Sequence, residues 1–71
     1  MTKLYHKFEG SSSIASCDYD DETSILTIEF MRGKSYNYAD VPKPVYEDLK
    51  DAESPGKYFQ NYVRNVYKVV E

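Results

Sequence analysis

Seventy-one residues allow one small domain, and 41% hydrophobic with 15% aromatic content excludes a disordered chain. A net charge of −3 argues against indiscriminate polyanion binding. The lone cysteine, Cys17, excludes an internal disulfide and suits a reducing compartment.

The first ten residues, MTKLYHKFEG, lack the apolar stretch of a signal peptide, and no run reaches membrane-spanning length. A cytoplasmic location without membrane contact is therefore expected. Leu4, His6 and Phe8 alternate with Lys3, Tyr5 and Lys7, which suits a short edge strand or a flexible lead-in over residues 1–11. A loop follows at Gly10–Ser13.

From Ile14 the pattern sharpens. Ala15, Cys17 and Tyr19 fall on one side of an extended strand, and DDETS connects it to the next. In ILTIEFM, Leu26, Ile28 and Phe30 face one way against Ile25, Thr27, Glu29 and Met31. Arg32-Gly33 forms a credible tight turn, because glycine tolerates positive φ. KSYNYADV then returns as a third strand. Its Tyr36 and Tyr38 share a face by period two, and Ser35, Asn37 and Ala39 on the other face cannot fill a core. Both tyrosines are therefore expected inside.

Pro42 and Pro44 end the sheet and fit a helix start. Val45, Leu49 and Ala52 form the stripe of a first short helix, with Glu47 and Asp48 placed to suit its dipole. Ser54 as N-cap and Pro55 at the first position start a second helix. Phe59, Val63 and Val66 make its buried stripe, leaving Tyr58 and Tyr62, with Tyr46 on the first helix, for partial exposure. The tail YKVVE fits a frayed helical end or a short strand. The expected architecture is α+β, a three-stranded antiparallel meander covered on one face by two short C-terminal helices, in the order β-β-β-α-α.

Little here supports catalysis. His6, the only histidine, lies in the least readable segment and is expected on the surface. Cys17 falls on the core face, where a thiol behaves as a small hydrophobe. DYDDE, Asp18 to Glu22, lacks the glycine and distal glutamate of an EF-hand and reads as a solvated acidic turn. SPGK, Ser54 to Lys57, is explained by capping and is not a P-loop. Neither a metal nor a cofactor is implied.

Charge is unevenly spread. Residues 18–29 carry Asp18, Asp20, Asp21, Glu22 and Glu29 with no base, while residues 54–68 carry Lys57, Arg64 and Lys68 with no acid. Arg32, Lys34 and Lys43 are placed to join the basic end in space.

An ordered set of residues also carries a resemblance. Ser12 or Ser13 with Ile14, Tyr19-Asp20 and the alternating Leu26, Ile28 and Phe30 come first. Gly33 then precedes Tyr36 and Tyr38, and Val41-Pro42 and Val45-Tyr46 follow. Ala52, Ser54, Gly56, Tyr58-Phe59 and Val63-Arg64 complete the set. The set resembles the KTSC domain, a module at the C-terminus of some lysyl-tRNA synthetases and also a stand-alone bacterial or phage protein. Cys17-Asp18 departs from it, standing where the family often has an aliphatic residue and a glycine.

The resemblance implies a KTSC-like domain over residues 12–71 and no established activity; RNA is the partner suggested by the synthetase association. The expectation is a small non-enzymatic module that binds RNA. Lys57 and Arg64 with Tyr58 or Tyr62 would make the contact, aided by Arg32 and Lys34. The alternative is a protein-interaction module or inhibitor using a tyrosine-rich surface.

Overall fold

A computed structural model of the protein describes residues 3–10 and 13–70. Ser12, one of the two serines placed at the start of the family pattern, lies outside the described residues, as does Glu71 of the tail. The chain runs β1 (Lys3–Lys7), β2 (Ile14–Asp20), β3 (Ile25–Phe30), β4 (Ser35–Tyr38), α1 (Lys43–Asp51), α2 (Pro55–Tyr62) and β5 (Val69–Val70).

The sheet has five strands, not the three expected, in the antiparallel order β1-β2-β3-β4-β5. β1 pairs along the whole of its length with β2, from Lys3 opposite Asp20 to Lys7 opposite Ser16. His6 accordingly sits opposite Cys17, half-buried, with its ring edge-on to Phe8 at 4.7 Å, and is not a loose surface residue. β5 is only two residues long, too short to carry a period of its own, and pairs with Asn37 and Tyr38.

A β-bulge interrupts β2, where the register steps from Ile14–Phe30 to Ser16–Glu29. Ile14 and Cys17 are three apart and would face opposite sides of a regular strand. The bulge brings both into the core, at 0% and 1% exposure. Ala15, expected beside Cys17, falls at this irregularity and is half-buried.

The β3–β4 link closes as the sequence predicted. Gly33, at φ 91, donates its N–H to the Phe30 carbonyl at 2.9 Å, and Phe30 donates to the Lys34 carbonyl at 2.8 Å. This is a turn followed by a left-handed glycine, which matches strand twist.

Both helices lie on one face of the sheet, over a core that includes Ile14, Tyr19, Leu26, Ile28, Leu49 and Val63. Helix α1 begins at Lys43, so Glu47 and Asp48 fall beyond its first turn, which holds no acid. Its buried side is Tyr46 and Leu49, one turn apart. Tyr46, expected half-exposed, is buried because its ring stacks on Tyr19 at 5.6 Å.

Helix α2 starts with Ser54 at the N-cap position, but its side chain makes no capping bond; its carbonyl accepts the Tyr58 N–H at 3.0 Å. The helix ends at Tyr62, where the N–H groups of Val63 and Arg64 both donate to the Phe59 carbonyl at 2.9 Å. Turns then carry the chain onward, so Val63 is fully buried but Val66 points out at 61% exposure. Val66 therefore leaves the stripe in which the periodicity placed it.

Candidate nucleic-acid interface

Tyr36 and Tyr38 stand on the helix-covered face, opposite Ile28 and Leu26. Their fates differ. Tyr38 is buried beneath Phe59, whose ring meets it edge-to-face at 5.5 Å, whereas Tyr36 keeps 37% exposure. The core expectation thus holds for Tyr38, which Phe59 covers, and fails for Tyr36. Phe30 bridges the two situations. Its ring lies edge-on to Phe59 at 5.3 Å and to Tyr36 at 5.7 Å, so the Tyr36 ring rests against a packed neighbour.

Beyond this aromatic floor opens a groove of about 770 Å³, between the β3–β4 hairpin and the C-terminal end of α2. Arg32 and Lys34 enter it from the hairpin, and Arg64 from the turn after α2. Gln60 and Asn65 add amide side chains and Met31 an exposed apolar one. Among the described residues that line it there is no aspartate or glutamate. On a chain of net charge −3, three cations gathered in one groove are a concentrated positive site among the described residues. Burial raises the Tyr38 hydroxyl above its ordinary value of 10.0, with Arg64 opposing and Tyr36 adding to the rise. The phenol therefore stays neutral and can donate at physiological pH.

Gly56 shapes the end of the groove. A Cβ there would come 3.1 Å from the Ser13 Oγ, so glycine lets the first turn of α2 lie against that loop.

Not every residue expected in a nucleic-acid contact reaches this site. Arg32, Lys34 and Arg64 line the groove; Lys57, Tyr58 and Tyr62 do not. Tyr58 and Tyr62 pair with each other at 4.8 Å. Burial first, then the Asp48 charge on α1, pushes the Tyr58 hydroxyl up. Sequence reasoning missed Tyr36 as an exposed ring, together with Met31, Gln60 and Asn65. Only the spatial end of the helix cover separates Tyr36 from Tyr38, and no residue period records that.

The opposite face of the sheet is built differently. Ser16 donates to Glu29 at 3.1 Å and Thr27 to Asn37 at 2.6 Å, with Asp18 and Tyr5 beside them. Asp20 accepts the Glu22 N–H at 3.0 Å, which closes the acidic turn on itself. The open face thus carries Asp18, Asp20 and Glu29 mixed with Lys3 and Lys7, whereas the charged residues described in the groove are all basic. Among the described residues no cluster of three or more His, Cys, Asp or Glu is placed to hold a metal, and no helix is long and apolar enough to cross a membrane.

A five-stranded antiparallel meander with two helices on one face defines a small α+β module. The KTSC domain family model matches residues 10–67, and the chain belongs to that family. It is 42% identical over 62 residues to a lysine–tRNA ligase of Nostoc punctiforme, a match covering 87% of this chain. The chain spans only 11% of the length of that ligase. A protein of Tsukamurella paurometabola is 37% identical over 60 residues, covering 84% of this chain and 90% of its own length. The family therefore occurs both as part of a ligase and as nearly a whole small protein. The crystal structure of a KTSC domain protein from Yersinia pestis superposes with a TM-score of 0.89, at 24% identity, over 99% of this chain and 97% of that one. That likeness establishes the fold.

Proposed function

We propose that this KTSC module is a non-enzymatic RNA-binding domain whose contact surface is the cationic groove. The observation that carries the proposal is the convergence of Arg32, Lys34 and Arg64 on one groove, in an acidic chain. Guanidinium groups offer forked donors that suit phosphate oxygens, and lysine adds a point charge. Kinship with part of a ligase named for tRNA supports RNA as the polyanion. The described residues of the groove lining include no histidine, cysteine or carboxylate as a base, which favours binding over catalysis. Lys57, Tyr58 and Tyr62 lie outside the lining, and the proposed contact is drawn without them. The cytoplasm is the proposed setting, where a free Cys17 stays reduced.

A protein partner is the second reading, favoured by one observation. Tyr62, paired with Tyr58, is 57% exposed, an aromatic surface of the kind found at protein contacts.

Salt dependence tests the RNA reading. Three phosphate contacts on a single strand predict a slope of log K against log salt of roughly −2, at about −0.7 per contact. Arg64→Gln should weaken binding and flatten that slope by about one such contact. Absence of RNA binding at low salt, or an affinity indifferent to salt, would contradict it.

A further inference from the structure

We infer that the groove takes an unpaired RNA segment, with one base stacked on the Tyr36 ring and the flanking phosphates held by Arg32, Lys34 and Arg64; the inference rests on the RNA-binding reading and sharpens it.

Tyr36 is the tyrosine of the groove that combines exposure with a fixed position. Its ring is 37% exposed, while Phe30 stands edge-on against it at 5.7 Å. Phe30 is held in turn by Phe59 at 5.3 Å. An exposed ring backed by a packed one loses little freedom when a base lies on it. Cations from two parts of the chain line the groove with this ring. Arg32 and Lys34 come from the β3–β4 hairpin, and Arg64 from the turn after α2. Such a set can hold the phosphates on either side of a stacked base.

Paired RNA does not fit this arrangement. In a duplex each base is already stacked and paired, so its face is closed to a protein ring; unpaired bases can be splayed out onto aromatic side chains. A groove of about 770 Å³ lies within the roughly 300–1,000 Å³ range of sites that enclose a compact ligand. A shape reader of duplex RNA instead spans successive grooves over a broad surface. On the open face of the sheet Lys3 and Lys7 stand among Asp18, Asp20 and Glu29, a mixed surface that offers phosphate no comparable cluster of cations. Gln60 and Asn65 supply amide donors and acceptors within the groove, suited to the edge of a stacked base.

The test measures fluorescence anisotropy of a short unstructured RNA, free and annealed to its complement, against the full chain and two variants. The unpaired strand should bind at least about tenfold tighter than the duplex. Tyr36→Ala should weaken the unpaired strand roughly 5- to 150-fold, the range for loss of one stacked base, with the salt slope unchanged. Tyr36→Phe should hold within about twofold, because stacking needs the ring and not the hydroxyl. Circular dichroism of each variant verifies that the fold is kept. Equal or tighter binding of the duplex, with salt-dependent affinity intact, would overturn this inference and leave the RNA-binding reading standing. So would a folded Tyr36→Ala of unchanged affinity. No binding of either form overturns both, and capture of a protein through the Tyr62 face instead would give the groove no part in recognition.

Discussion

Tyr19 donates its hydroxyl hydrogen to the Val41 carbonyl at 2.6 Å, across 22 residues of sequence. Val41 also donates its N–H to the Ser24 carbonyl at 2.9 Å, so the connection from β4 to α1 is pinned at one residue from two directions. Val41 is fully buried, and no water can replace the phenol easily. Tyr19→Phe should therefore cost about 1–3 kcal/mol, the range for stranding a buried acceptor. Urea unfolding should show a lower midpoint with an unchanged slope. An unchanged midpoint would mean that the phenol bond adds nothing to the connection.

Gly33 makes a cleaner backbone test. At φ 91 it occupies a conformation that side chains avoid, yet a Cβ there would meet nothing within 4 Å. Any loss in Gly33→Ala is therefore conformational strain, on the order of 1–2 kcal/mol. Gly33→Asn should cost less, because asparagine tolerates positive φ better. Equal losses for the two variants would point to a steric cause instead.

The end of α2 can be checked by a pair of truncations. Val63 is fully buried, and Val63→Ala should cost roughly 2 kcal/mol in transfer and cavity terms. Val66 is 61% exposed, and Val66→Ala should stay within about 0.5 kcal/mol. Comparable losses in thermal or chemical unfolding would restore Val66 to the buried stripe and place the helix end further on.

Alkaline stability should depend on Cys17. Burial, with the neighbouring Asp18 adding and Lys50 opposing, pushes its thiol from 9.0 up to about 12. Above pH 9 the unfolded chain releases a proton that the folded chain keeps, so folding stability falls as pH rises. Its contribution is whole below about 9 and is lost on the way to about 12. Tyr38, Tyr46 and Tyr58, each raised by burial from 10.0, act in the same direction at higher pH. Melting temperatures of the wild type and Cys17→Ala, at neutral pH and just above pH 9, should show the shallower decline in the variant. Parallel declines would contradict the assignment to Cys17.

What was legible in the sequence divides along physical lines. Leu26, Ile28 and Phe30 declared their face because a half-buried strand alternates strictly, and Gly33 declared the turn because few other residues accept its φ. Two edge strands were harder to read. β1 places Lys3, Tyr5 and Lys7 on its outer side, as edges do to discourage further pairing, and β5 has two residues. The bulge in β2 was invisible, since it reverses the period that any strand reading assumes. The start of α1 at Lys43 falls between the two prolines read as its beginning, whereas the end of α2 misled, since the helix stops before Val66.

The cationic residues fared differently again. Arg32, Lys34 and Arg64 were recognisable as candidates by type, and the fold gathers them. Lys57 was a candidate for the same reason and lies elsewhere, because helical phase, not charge, decides which side it faces. Tyr36 reads as core by every local pattern. Its exposure arises from where the cover of α2 stops, with Phe59 reaching Tyr38.

The most direct test of the groove as the RNA contact is a titration of isotope-labelled protein with a short unstructured RNA at low salt, following backbone and side-chain amide resonances. The account predicts progressive shifts at Arg32, Lys34, Tyr36, Arg64 and Asn65 that fade as salt is added, with the open-face strands unmoved. Shifts centred instead on Asp18, Thr27 or Tyr62, or none at any RNA concentration, would contradict it.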